Sequence, residues 1–362
     1  MALSLPHLPH IGSLPSGAHD CLADVGHVTV GHTTLAPGED TDVQTGVTVI
    51  CPHAGNVFCH KVPAAVYVIN GFGKSLGLVQ LQELGQLETP IALTNTLSVP
   101  ALAQAQIRAC MTANPEMGRS LPTVNPLVLE CNDGFLNDIQ RMAVTEAHYT
   151  QALASAAPRF AQGSVGAGRG MSCFQLKGGI GSASRVAGNG YVVAALVLAN
   201  FGLLPQLRWG GEPLGARLAA YASLFSPPLA GEGWGLGREH ATEQGSIIMV
   251  LATDAPLCSR QLGRLARRAA AGLARTGSCY GHGSGDIALA FSTAYTLPAD
   301  AQATMPTVTL LHESLLDPLF QAAADSVEQA ILHALWQADT VSGREGHQRQ
   351  GLRQLFNILP PV

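Results

Sequence analysis

The apolar positions of this chain recur with two periods, one suited to strands and one to helices. Short β-branched runs bounded by turn residues predict strands at 28–30, 47–51 and 65–70. Leu76, Val79, Leu84 and Leu87 then keep helical spacing and predict a helix over 76–87. Residues 100–111 and 138–156 carry further helical patterns, and 190–198 is a continuous apolar run that suits a strand buried on both faces. The run SIIMVLA at 246–252 repeats that continuous pattern. Asp254 can cap a following helix with Pro256 near its first turn, and Gly277 can supply a left-handed stop just after Arg275. Arg264, Arg267, Arg268 and Arg275 along that helix read as a solvated or subunit-facing surface. Strands at 287–291 and 307–311 and a long helix over 315–337 complete the pattern. Strands and helices in comparable amounts, without strict βαβ alternation, predict layered α+β packing.

One interval breaks both periods. Residues 226–244 read SPPLAGEGWGLGREHATEQ, rich in Pro, Gly and charge, so 226–245 is expected to be an exposed linker. Composition then narrows the class. The 362 residues are only 12% charged, against a typical ~25%, and 40 of them are Gly. So little charge suggests surface buried between subunits. The formal charge of −5 offers no basic field for phosphates, which argues against nucleic-acid binding. The apolar stretch at 191–204 is too short to span a bilayer and contains Asn200, so no membrane partner is expected. The first 20 residues have no Lys, Arg or apolar run and do not read as a signal peptide. Eight Cys without a CxxC pair read as reduced, buried side chains, which makes a cytoplasmic location the expectation. The 13 His lack metal-ligand spacing and there is no HExxH motif, so no metal or cofactor is assigned.

The candidate chemistry starts at Gly245-Ser246. Six Gly-Ser dipeptides occur, but only this one lies where a polar linker meets a continuous apolar strand. Cleavage there would make Ser246 an N-terminal residue, whose α-amine has a reference pKa of about 7.7–8.0 and can act as the base for its own hydroxyl. Gly245 tolerates the strained backbone that attack on the preceding carbonyl requires. From position alone, a Ser that merely opens a strand is the favoured reading. A second cluster, Gly283-Ser284-Gly285-Asp286, precedes a strand; Ser284 and Asp286, two apart, share one face. Ser284 can relay or orient the Ser246 proton, with Asp286 holding Ser284 or the amine, though a capped Gly-rich turn would use the same residues. Asn200, ending a buried strand, can donate to an oxyanion or simply terminate that strand. Glu130, ending the run at 126–129, can bind a substrate ammonium or precede the turn at Asn132-Asp133-Gly134.

Taken in order, several segments resemble the DmpA family of self-processing serine aminopeptidases, which includes the β-peptidyl aminopeptidases. They are DVGHVTVGH (24–32), GNVF (55–58), KVPAA (61–65), NGFGKSLGL (70–78), ETPIALTNT (88–96), NDGFLND (132–138), KGGIGSASR (177–185), GNGYVV (188–193), GSIIMVLATDAP (245–256) and GSGD (283–286). The resemblance implies a four-layer α/β/β/α sandwich of the DmpA/ornithine-acetyltransferase type, similar to the N-terminal-nucleophile hydrolases. It also implies one domain over 1–362, cleaved into an α chain 1–245 and a β chain 246–362 that assemble as a homo-oligomer of heterodimers. By motif, Ser246 is the nucleophile, Ser284 and Asp286 its polar partners, Asn200 the oxyanion donor and Glu130 the residue receiving the substrate amine. Asn132 replaces an aromatic residue, often Tyr, and so bears on pocket shape. The implied substrates are small peptides, amides or esters of L-, D- or β-amino acids, hydrolysed without a cofactor. Two alternatives stay open: an acyltransferase of the ornithine-acetyltransferase type, whose relatives resemble a Thr-nucleophile variant, and an unprocessed, non-catalytic assembly protein.

Overall fold

Residues 5–38, 40–225 and 244–358 are described by the computed structural model of the chain. The expected linker lies outside these residues apart from Gln244 and Gly245, which already belong to a strand. Two sheets carry the fold. In the first, β1 (Thr29–Leu35) pairs antiparallel with β2 (Thr45–Cys51), and β2 with β4 (Ile91–Asn95). Its last strand, β5 (Val128–Cys131), runs parallel to β4. The second sheet has the order β3 (His60–Gly71), β9 (Gly283–Ser292), β8 (Gln244–Thr253), β7 (Val192–Asn200), β6 (Gly179–Val186). Only β8 and β9 are parallel there, so the chain must cross over between them. Helix α4 (Leu214–Phe225) precedes β8, and helices α5 (Ser259–Ala266) and α6 (Ala269–Arg275) make that crossover.

Strand alternation builds the layers. Ile248, Val250 and Ala252 of β8 face inward with Leu289 and Phe291 of β9 and meet Ile50, Leu93 and Leu129 of the first sheet. The intervening residues Ile247, Met249 and Leu251 face outward and pack on α5, α6 and α7 (Asp317–Gln337). On the far side, α2 (Val99–Ala113) and α3 (Glu146–Ala154) cover Val47, Val49 and Ala92. The result is helices, sheet, sheet, helices, which accounts for the continuous apolar runs: both faces of the central strands are buried. Gly181 allows β6 to lie directly against α7, since a Cβ there would fall 1.9 Å from the Ala330 carbonyl oxygen.

Several element boundaries differ from the sequence pattern for local reasons. Helix α1 covers only Leu78–Leu84, because Gln86 and Leu87 turn away to pair with β3. The pattern at 138–156 is broken: a 3-10 turn at Ile139–Arg141 precedes α3, which begins after Thr145, whose N–H donates to His148 Nδ1 at 3.0 Å. Asp254 does not cap α5. Its carboxylate accepts from the Val192 N–H at 2.8 Å and ties β8 to β7, and α5 instead starts at Ser259. The segment at 307–311 forms no strand, because it lies mostly exposed with no sheet face to pack on. The arginines of this helical stretch lie on a partly exposed surface, as their pattern predicts, and find partners within the chain: Arg264 pairs with Glu313, Arg275 with Asp325 at 2.6 Å, and Arg268 covers the Phe320 ring at 3.9 Å.

Candidate active site

Ser246 sits at the start of β8, opposite Asn200 of β7 on one side and Gly285 of β9 on the other. Its hydroxyl donates to the Gly245 carbonyl oxygen at 2.6 Å and accepts from the Gly285 N–H at 3.2 Å. Gly245 has φ +140°, and a Cβ on it would lie 2.2 Å from the Asn200 carbonyl oxygen. Only glycine fits that position. A cleft of about 1110 Å³ opens over this point and is lined by Ser246, Asn200, Glu130 and Asn132. Four sequence candidates from three separate strand ends therefore converge.

Each of them is held by named partners. Asn200 Oδ1 accepts from the Ser172 N–H at 2.8 Å, and its Nδ2 donates to the Asn132 carbonyl at 2.9 Å. An amide has two N–H donors, so one remains for a ligand in the cleft. Glu130 is buried; it accepts the Lys74 N–H at 2.7 Å and the Thr96 hydroxyl. The Asn132 side-chain oxygen accepts the Gly134 N–H at 2.8 Å, an Asx turn, so this residue contributes its carbonyl to Asn200 as well as an edge of the cleft.

Ser284 and Asp286 are not among the residues that line the cleft. The Ser284 hydroxyl donates to Asp286 Oδ1 at 2.6 Å, as their spacing predicts, and both residues are fully buried. In the parallel register Ser246 pairs with Gly285, so alternation turns Ser284 and Asp286 to the opposite face. What reaches the Ser246 hydroxyl from β9 is thus the Gly285 N–H, not the Ser284 side chain. Ser284 is instead the register neighbour of Gly245.

Other residues of the site had no signal of their own in the sequence. Lys74 and Thr96 fall in segments that carry the family resemblance, but nothing local marks them as supports of Glu130. Lys177 is fully buried and donates to the carbonyls of Gly168, Met171 and Gly178 at 2.8–2.9 Å. Burial pushes its ammonium well below the ordinary value, and its three bonds fix the loop whose Ser172 N–H holds Asn200. Among the described residues, no group of three or more His, Cys, Asp or Glu could hold a metal ion.

The described residues thus form a sandwich of two facing sheets between helices, with a cleft at the strand ends, an architecture shared with a solved structure described as a variant of the Ntn hydrolase fold. The model of peptidase family S58 matches residues 20–349, and the chain belongs to that family, as an aminopeptidase-class enzyme. It is 38% identical over 348 residues to the β-peptidyl aminopeptidase BapA of Sphingosinicella microcystinivorans, covering 93% of this chain and 86% of that one. Among solved structures, the PH0078 protein of Pyrococcus horikoshii OT3 superposes with a TM-score of 0.86 at 43% identity, covering 96% of each chain. The L-aminopeptidase D-Ala-esterase/amidase of Ochrobactrum anthropi gives 0.83 at 32% identity, covering 97% of this chain and 98% of its own. That protein is described as a prototype of the serine aminopeptidases and a variant of the Ntn hydrolase fold.

Proposed function

We propose that this aminopeptidase cleaves itself between Gly245 and Ser246 and then uses Ser246 as an N-terminal nucleophile on small aminoacyl peptides, amides or esters. The observation that carries the reading is the Ser246 hydroxyl lying 2.6 Å from the oxygen of the carbonyl it would attack, in a cleft shared with Asn200 and Glu130. In self-cleavage the hydroxyl oxygen bonds to the Gly245 carbonyl carbon, the C–N bond breaks and the nitrogen takes the proton. Water then hydrolyses the resulting ester, leaving the Gly245 carboxylate and a free Ser246 amine and hydroxyl. That amine becomes the general base for turnover. It emerges where Gly245 was bonded, next to Ser284 in the register, so the Ser284–Asp286 pair is assigned to the amine rather than to the hydroxyl. Glu130 receives the substrate ammonium, and the spare N–H of Asn200 donates to the oxyanion.

Two further readings accompany this one. Leu76, Val79 and Leu84 on and beside α1 are exposed together with Val68 and Phe72, and this apolar surface supports assembly into oligomers of processed heterodimers. Among the described residues no helix is long and apolar enough to cross a membrane; the cytoplasmic assignment rests on the dispersed cysteines. The test of the main reading is a gel with an assay. Purified wild type is expected to run as two bands divided before Ser246 and to hydrolyse an aminoacyl p-nitroanilide, whereas Ser246→Ala remains full length and inert. A wild-type chain that stays intact yet turns over substrate would rule out the N-terminal nucleophile.

A further inference from the structure

The cleft contains a cation that the reaction above leaves unused. Glu130 is the one acidic residue among those lining it, and Lys74, His282 and Arg349 are the basic ones. Lys74 Nζ rests 4.3 Å from the centre of the Phe72 ring. Arg349 is built in more firmly. Its guanidinium carbon lies 3.5 Å from the centre of the Phe135 ring, and that ring also stacks on His347 at 4.7 Å. Arg349 Nε donates to the Ser172 hydroxyl at 3.1 Å. Its two terminal nitrogens make no hydrogen bond and no ion pair among the described residues. Burial pushes its pKa down to about 10, so it remains a cation at neutral pH.

A guanidinium held rigid at the lining of the cleft with one edge unspent is placed to receive an anion, and its fork matches a carboxylate. Its position relative to Ser246 says which part of a substrate carries that anion. On the β9 flank of the nucleophile, Gly285 packs against Gly73, where a Cβ would stand 3.4 Å from Glu130 Oε1. On the β7 flank, Asn200 is bonded to Ser172, and Ser172 to Arg349. The ammonium receiver and the guanidinium thus flank the nucleophile on opposite sides.

We infer that Arg349 receives the α-carboxylate of the leaving residue, which makes free dipeptides the preferred substrate class over their amides. The inference rests on the proposed roles of Ser246 and Glu130. The test fixes the acyl residue as that of the best p-nitroanilide and compares kcat/KM for a dipeptide, the same dipeptide amidated at its C-terminus, and the p-nitroanilide. The free dipeptide is expected to exceed its amide by roughly 10- to 100-fold, mostly through KM, the range for one charge-assisted hydrogen-bonded contact. Arg349→Gln brings that ratio to within about threefold of one, and Arg349→Lys retains part of it. A purely structural role through Ser172 and Asn200 would instead lower kcat for both substrates alike and preserve the ratio. A wild-type ratio near one, or an unchanged ratio in Arg349→Gln, overturns the inference while hydrolysis of the amide and p-nitroanilide leaves the aminopeptidase reading standing. Failure to hydrolyse any of the three overturns that reading itself.

Discussion

At the scale of single residues, the site depends on which groups are left uncommitted. Both oxygens of the Glu130 carboxylate already accept bonds, from Lys74 and Thr96, so the group is fixed in place while still able to accept further donors. Its assignment to the substrate ammonium predicts that Glu130→Gln raises KM for an aminoacyl p-nitroanilide about 10- to 100-fold with a smaller change in kcat, because a charge-assisted contact becomes a neutral one. Steady-state kinetics on the processed enzyme measures this, and an equal fall in kcat with KM unchanged would contradict it. Of the residues named at this scale, Ser246, Asn200 and Glu130 were legible as strand-end polar groups. Arg349 was not, because it sits among short irregular segments where neither period gives a context.

Among the elements, packing decides details that periodicity leaves open. His32 on β1 shows how. Its Nδ1 bonds the Thr48 hydroxyl of β2 at 2.9 Å and its Nε2 the Ala161 carbonyl at 3.1 Å. Burial pushes its pKa down to about 4, so the folded state holds it neutral. The folded pKa lies below the unfolded one, so this stabilisation is complete above about pH 6.5 and is lost as pH falls toward 4. Urea unfolding is therefore expected to show wild type losing up to about 3 kcal/mol more than His32→Gln between pH 7 and pH 4. Equal losses in the two proteins would refute it. The same scale holds the clearest limits of the sequence pattern. The β-branched residues at 307–311 found no sheet to join, and Asp254 satisfied a strand N–H instead of a helix end.

For the whole molecule, strand order is the fact with most consequence. Strands β8 and β9 follow Gly245 apart from the first two residues of β8, yet they lie between β3 and β7, which precede it. A cut before Ser246 would leave the second fragment inserted into the middle of the first fragment's sheet, bonded on both edges. The two fragments are expected to elute together on size exclusion without denaturant and to separate only on unfolding; separation under native conditions would contradict the interleaving. Oligomers of the processed pair would bury the apolar residues around α1, including Val79, which is 86% exposed in the single chain.

The sequence by itself determined the layers, because a strand covered on both sides must be apolar at every position and a run such as 246–252 records that directly. It also marked Gly245-Ser246, where linker composition meets such a run. Only the tertiary structure decided which polar groups meet there. Convergence of Glu130 from one sheet with Ser246 and Asn200 from the other depends on how the sheets face, and no local period encodes that. The parallel register of β8 on β9 likewise put Gly285 beside the Ser246 hydroxyl and turned Ser284 and Asp286 to the other side, because one residue of register exchanges every side chain between faces.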